Sequence, residues 1–238
     1  MVLTLVGNPG TTCTRRVATV LQEKGVPFEF KSVDLMKREQ KEPEFLEKQP
    51  FGVVPYIVNS LSSAKCYTMH LIKFELPQDD DGFILYESRA ICQYIASKYA
   101  DQGTPGLVPD FTDRKAYALF QQASSAELAY FNEYAEKAVL EKVIKPKYGV
   151  VANVEWADGL IATLETKLDV YEKILSKQKY LAGDSITLAD LYHLPYGTYL
   201  KDAGASGLDS TSRPNVARWW KDISSRPSWQ AVKDGVKV

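Results

Sequence analysis

Strand-like and helix-like runs alternate through the first 99 residues of this chain, and beyond residue 110 the apolar patterning is helical. That order restricts the fold more than any single motif. Val2–Val6 is a short apolar run with the look of a buried strand. Val17, Val20 and Leu21 then recur at helical spacing within 15–24, and Gly25 supplies a C-terminal stop. Pro27–Val33 alternates around Phe28 and Phe30, a strand pattern. The polar stretch "DLMKREQKEPEFLEKQPFG" has room for a short helix near Pro43–Glu47, and "VVPYI" and "FILYE" are two further β-rich runs. From Ser88 to Tyr99, Ala90, Ile91, Tyr94 and Ile95 share a helical face. The order β-α-β-(α)-β-β-α predicts an α/β unit with a mixed sheet over 1–99.

The Gly/Pro-punctuated "ADQGTPGLVPD", 100–110, predicts a linker. Over 111–238, Ala116, Leu119, Phe120 and Ala123, then Leu160, Ile161, Leu164, Leu168, Tyr171 and Leu175, follow the helical period. Within "ITLADL", Thr187 and Asp190 form a capping-box pattern, with Ile186 and Leu191 spaced as its hydrophobic staple.

A net charge of −1 lacks the basic footprint of a nucleic-acid binder. Cys13, Cys66 and Cys92 are odd in number and scattered, which points to a reducing compartment rather than a disulfide framework. His70 and His193 have no partner at metal-ligand spacing, so no metal site is expected. The apolar run near the start is too short for a signal sequence, and no run approaches the ~18 apolar residues of a membrane span. The expected location is cytoplasmic, with no membrane partner.

In "VGNPGTTCTRR", residues 6–16, three hydroxyls and a thiol crowd the point where a strand hands over to a helix. Together with "VDLMKREQKEPEFLEKQPFGVVP", "ESRAICQYIA" and "ITLAD", in that order, the chain resembles the cytosolic glutathione transferases, phi class, the plant and fungal type. The resemblance implies a thioredoxin-like N-terminal domain over 1–99 that binds glutathione and an all-α C-terminal domain over 111–238. It also implies a homodimer and conjugation of glutathione to small hydrophobic electrophiles, a detoxifying activity. No cofactor is implied beyond glutathione as co-substrate.

The catalytic hydroxyl of the phi pattern falls on Thr11, with Thr12 as the alternative donor. A free thiol titrates near ~8.5, so a hydroxyl donor beside a helix N-terminus would favour the glutathione thiolate. Thr14 and Arg15-Arg16 read as helix entry and as surface or domain-interface charge. Val54, before a cis Pro55, would offer its backbone to the cysteinyl unit. Glu87 would take the γ-glutamyl ammonium, and Ser88, read as a helix cap, the γ-glutamyl carboxylate. Gln40 and Lys41 would hold the glycyl carboxylate. Gln40 stands where the pattern has histidine, and Val53 where it has glutamine. Leu35 and Met36 would form one wall of the electrophile pocket, and Tyr117 and Phe120, with Tyr130 nearby, the other.

Residues 58–78, "VNSLSSAKCYTMHLIKFELPQ", interrupt the family pattern; without them "VPYI" joins "DDDGFILYE" as a short hairpin. The segment reads either as a loop beside the site or as an unspliced intron in a conceptual translation. Two other functions stay open at this level. One is a ligand carrier or assembly module with little or no turnover; the other is a glutathione-dependent thiol reductase acting through Cys13.

Overall fold

Leu3, Leu5 and Val6 of β1 (Val2–Gly7) are almost fully buried, so this strand is covered on both faces. Its apolar run then belongs in the middle of a sheet rather than at an edge. The computed structural model, which describes residues 2–60 and 82–237, bears this out with the strand order β2-β1-β3-β4. β2 (Phe28–Ser32) runs parallel to β1 and sets Phe30 opposite Leu5. β3 (Tyr56–Ser60) is antiparallel to β1, with Ile57 opposite Leu5, and β4 (Ile84–Tyr86) closes the sheet antiparallel to β3. The mixed, thioredoxin-like sheet expected from the sequence is present. Val58, Asn59 and Ser60, read from the sequence as the start of an interruption, continue β3, and Val58 pairs with both Thr4 and Ile84. The rest of 58–78, with Cys66 and His70, lies outside the described residues.

Helix α1 (Thr12–Glu23) begins three residues before the apolar spacing suggested, because Thr11 in extended backbone already occupies the N-cap position. Gly25, at φ +61°, ends it in a conformation that glycine adopts without strain. A 3₁₀ turn at Glu39–Lys41 and α2 (Pro43–Leu46) follow β2; Pro43 starts the helix where its missing N–H costs nothing. α3 (Ser88–Lys98) lies beside α1 and buries Ile91, Cys92, Ile95 and Ala96. Ala90, expected on the inner face, is exposed. A small second cluster of Val6, Val33, Phe45 and Tyr56 gathers α2 against the sheet.

The remaining chain is helical. α4 (Arg114–Ala126) is capped by Asp113, which accepts from the Ala116 N–H at 3.0 Å. It runs on through a π-helical turn at Glu127–Asn132, α5 (Glu133–Val139), a second π-helical turn at Leu140–Ile144 and α6 (Lys145–Lys147). α7 (Val154–Leu175) is followed by α8 (Leu188–Leu191), α9 (Leu194–Leu200), α10 (Pro214–Ser224) and α11 (Pro227–Gln230). The capping box at Thr187 and Asp190 forms, and the buried Asp190 also accepts from the Leu181 N–H at 3.0 Å and Trp219 Nε1 at 2.9 Å. His193 is fully buried: Nδ1 donates to the Ala189 carbonyl at 2.8 Å, so Nε2 accepts from the Tyr171 hydroxyl at 3.1 Å. Burial pushes its pKa down to about 3, which makes it a neutral packing residue.

The segment 100–110 is bound tightly to both sides. Thr104 N donates to the Glu23 carbonyl at 2.8 Å, and the buried Leu107 accepts from Leu188 N at 2.9 Å. The Glu23 carboxylate collects Arg226 at 2.6 and 2.7 Å together with the hydroxyls of Ser228 and Thr104. One apolar core runs without a break from Leu5, Leu21 and Ile91 to Phe131, Leu164 and Trp219. Among the described residues no helix is long and apolar enough to cross a membrane.

Candidate functional site

The C-terminal end of β1 releases the chain into the turn Asn8–Gly10, and α1 starts immediately after it. Thr11 therefore stands half-buried at a helix N-terminus, where backbone N–H groups lack intrahelical partners and attract negative charge. Its hydroxyl donates to the Asn8 carbonyl at 3.1 Å and lies 2.7 Å from the hydroxyl of Thr14. Thr12, the alternative donor, is nearly buried and interacts with the hydroxyl of Tyr196 from α9. Burial, with Cys13 and Glu136 in support, pushes that Tyr196 phenol up.

The second part of the site is the turn into β3. The Val54–Pro55 bond is cis, as the resemblance implies. Pro55 lies against Gly7: a Cβ on Gly7 would stand 3.2 Å from Pro55 Cβ and 2.6 Å from Thr14 Oγ1. Bare backbone at Gly7 thus lets the proline turn and the first turn of α1 come together. Gln40 and Lys41, on the 3₁₀ turn, are brought to the same side. Lys41 Nζ reaches the Phe51 carbonyl at 3.3 Å, and Gln40 Oε1 is buried without a hydrogen-bond partner among the described residues. Gly52, at φ +60°, is required there, since a Cβ would meet Lys41 Nζ and the Gln40 carbonyl within 3 Å.

The third part is the turn from β4 into α3. Glu87 is exposed and held at φ +70°, ψ 108°, outside the regions that side chains favour. Such strain concentrates at functional sites and costs on the order of 1–3 kcal/mol. Glu87, rather than Ser88, is the N-cap residue, and this corrects the expectation that Ser88 caps the helix. Ser88 is the first helical residue, nearly buried, and its hydroxyl accepts from Arg16 Nη1 at 2.9 Å.

Arg16 thereby ties the N-termini of α1 and α3 together. The same nitrogen donates to Cys13 Sγ at 3.6 Å, while Nε and Nη2 are buried without partners among the described residues. Arg15 is also buried, sandwiched over Tyr199 and Trp229 and donating to the Lys233 carbonyl at 2.5 Å. The arginine pair is buried rather than surface charge, and Arg15, which meets residues of the helical part of the chain, takes the domain-interface alternative. Cys13 is half-buried on α1, and burial pushes the neighbouring Cys92 thiol up to about 12. Next to Ser88, Arg89 forks onto both carboxylate oxygens of the buried Glu127 at 2.8–3.0 Å. Burial pushes the Glu127 carboxyl up, and Arg89 and Arg16 oppose it.

Two converging helix N-termini, a buried guanidinium and Lys41 form a region able to receive an anionic ligand. Sequence reasoning does not find Thr14, Arg16, Arg89 and Glu127 as parts of it. Arg16 carries a usable signal, since it lies one turn before Val20 on a helix that is buried nearly all round.

The residues expected to line an electrophile pocket differ in the surface they offer. Leu35 packs on the second cluster with Val6 and Tyr56, Met36 is 76 % exposed, and Tyr117 leans on Phe111 and Phe120. Phe120 is fully buried and offers a ligand no surface, because α4 turns Phe120 and Ala123 into the core. Tyr130 is exposed, with Lys167 over its ring. Among the neighbours that the structure brings toward the start of α1 is Tyr196, which in turn feels the charge of Glu136 of α5.

Comparison with known proteins follows this geometry closely. The glutathione S-transferase N-terminal domain family matches residues 5–103, and the glutathione S-transferase C-terminal domain family matches residues 105–227. Glutathione S-transferase PM239X14 of Arabidopsis thaliana is 42% identical over 217 residues, 91% of this chain and 88% of that protein. Glutathione S-transferase hmp2 of Hypomyces subiculosus is 41% identical, over 96% of each chain. The crystal structure of glutathione transferase F7 from Populus trichocarpa superposes with a TM-score of 0.83 at 36% identity, covering 100% of both chains.

Proposed function

The chain belongs to the glutathione S-transferases, phi class, and on that premise we propose that it conjugates the thiolate of glutathione to small hydrophobic electrophiles. The observation that carries the reading is the Thr11 hydroxyl at the N-terminus of α1, packed through Thr14 and Gly7 onto the cis-proline turn.

In this reading residues 1–99 form the glutathione-binding unit, 100–110 its connection and 111–238 the helical unit. Val54 pairs through its backbone with the cysteinyl residue. Gln40 and Lys41 take the glycyl carboxylate, and Glu87 and Ser88 the γ-glutamyl end. With the peptide so held, its sulfur comes to Thr11, whose proton turns from the Asn8 carbonyl to the thiolate. The peptide N–H of Thr11 also donates to that carbonyl, at 3.2 Å, so the carbonyl keeps a partner when the hydroxyl leaves. The dipole of α1 adds to the stabilisation, and the thiolate attacks the electrophile without any covalent enzyme intermediate. Detoxification in the cytoplasm, with glutathione as co-substrate and no resident cofactor, is the setting proposed.

We further infer a homodimer. Phe51 is 66 % exposed, and an apolar cleft of about 310 Å³ between α4 and α7 is lined by Leu119, Ala123, Val170 and Ile174. A second copy would cover such surface, and sedimentation tests it. For the reaction itself, Thr11→Val should lower turnover on a chloronitroarene by about 10- to 1,000-fold, and Thr11→Ser should stay active. Equal turnover of Thr11→Val and wild type would remove Thr11 from the mechanism and move the assignment to Thr12.

A further inference from the structure

We propose that Thr14 is a positioning residue for the reaction, which donates its hydroxyl proton to Thr11 and so fixes Thr11 as a donor toward the glutathione sulfur. The inference rests on the reading of Thr11 given above. Its basis is a count of protons. Thr14 is fully buried, and among the described residues its hydroxyl has one hydrogen-bond partner, Thr11 Oγ1 at 2.7 Å. The single proton of Thr11 is directed to the Asn8 carbonyl at 3.1 Å. One assignment satisfies both protons, that of the buried Thr14 and that of the half-buried Thr11: Thr14 donates to Thr11, and Thr11 donates onward.

Direction matters for the thiol. A hydroxyl facing a thiol can accept from the S–H, which favours the neutral form, or donate to the thiolate, which favours ionisation. The bond from Thr14 fills one of the two acceptor lone pairs of Thr11 Oγ1 and biases it toward donation. An accepted bond also strengthens the donated one through mutual polarisation. Thr14 itself is held by close contact: Gly7 leaves so little room that a Cβ there would stand 2.6 Å from Thr14 Oγ1 and 3.1 Å from its methyl. The titratable groups around this end of α1 include Cys13, Arg15 and Arg16 on the helix, Cys92 from α3, Glu127 from the first π-helical turn, Tyr196 from α9 and Glu136 from α5. Among the described residues none of them hydrogen-bonds either threonine hydroxyl of the pair.

The experiment compares wild type, Thr14→Val, Thr14→Ser and Thr11→Val. The thiolate absorbance of bound glutathione is titrated against pH, and the affinity for S-methylglutathione, which has no thiol to ionise, is measured alongside. Thr14→Val should raise the apparent pKa of the bound thiol and lower conjugation below that pKa roughly fivefold, the worth of one neutral hydrogen bond. The rates should converge with wild type at high pH, S-methylglutathione should bind as before, and Thr14→Ser should match wild type. An unshifted thiol in Thr14→Val beside a shifted one in Thr11→Val overturns the role of Thr14 alone. A loss equal at every pH with weakened S-methylglutathione binding also overturns it, as a structural effect. An unshifted thiol in Thr11→Val overturns the assignment of Thr11 and the relay together. Should Thr14→Val not fold, Thr14→Ala enters the same titration with the same expected shift.

Discussion

Replacing Arg89 with methionine should cost about 3 kcal/mol of stability near pH 7, and that loss should be smaller near pH 5. Arg89 forks onto both oxygens of Glu127 at 2.8–3.0 Å, and the Glu127 side chain is 0 % exposed. Methionine keeps much of the apolar stem and removes the cation, stranding a buried carboxylate. Breaking a buried pair this way costs on the order of 3–5 kcal/mol. The carboxyl can escape part of the cost by taking up a proton. From an ordinary value of 4.5, protonation at pH 7 costs about 3.4 kcal/mol at ~1.36 per unit, which caps the ionic loss. In the variant the folded-state pKa lies above the unfolded one, so the folded protein holds an extra proton between the two values. Its deficit therefore shrinks by about 1.4 kcal/mol for each unit of acidification, down to the raised value at which wild-type Glu127 itself takes up a proton. Urea unfolding of wild type and Arg89→Met at both pH values measures this directly. Arg89→Met/Glu127→Leu should regain most of the loss, since an apolar pair has no charge to desolvate. A deficit under about 1 kcal/mol near pH 7, or one that is equal at both pH values, refutes the reasoning. It would mean that Glu127 is already neutral or is compensated elsewhere.

Ser88→Ala and Glu87→Gln should raise KM for glutathione with kcat nearly kept, because contacts made equally in ground and transition states are lost from binding alone; steady-state kinetics separates the two. Ser88→Ala should also cost about 1–3 kcal/mol in unfolding experiments, because it leaves the buried Arg16 Nη1 without its oxygen partner. Cys13→Ala should leave conjugation intact, since a small apolar group fills the same half-buried place; abolished conjugation in that variant would contradict it. Burial pushes the Glu23 carboxyl up, but hydrogen bonds from Arg226, Ser228 and Thr104 outweigh it and hold the group below its ordinary 4.5. A depressed carboxyl stabilises fully above that ordinary value and loses its contribution as pH falls through the lower folded value. Acid unfolding of wild type should show that loss, and Arg226→Met should flatten it.

Features that depend only on near neighbours in the chain are legible in the sequence. The apolar run of β1, the stop at Gly25 and the capping box at Thr187 each depend on residues within a few positions of one another. Four motifs in family order are enough to indicate the fold and the candidate positions Thr11, Gln40, Lys41, Val54, Glu87 and Ser88. Groups whose role depends on distant chain need the tertiary structure. Arg16 meets Ser88 across 72 residues, Arg89 meets Glu127 across 38, and Glu23 meets Arg226 across 203. Nothing in the local pattern of a charged residue says that it will be buried, because its partner is chosen by topology. Phe120 shows the converse: helical spacing marks it as apolar and inward, but only packing decides between core and pocket wall. Ser88 looks like a cap from its neighbours alone. The turn that holds Glu87 at positive φ, and the guanidinium reaching in from α1, give it a different partner.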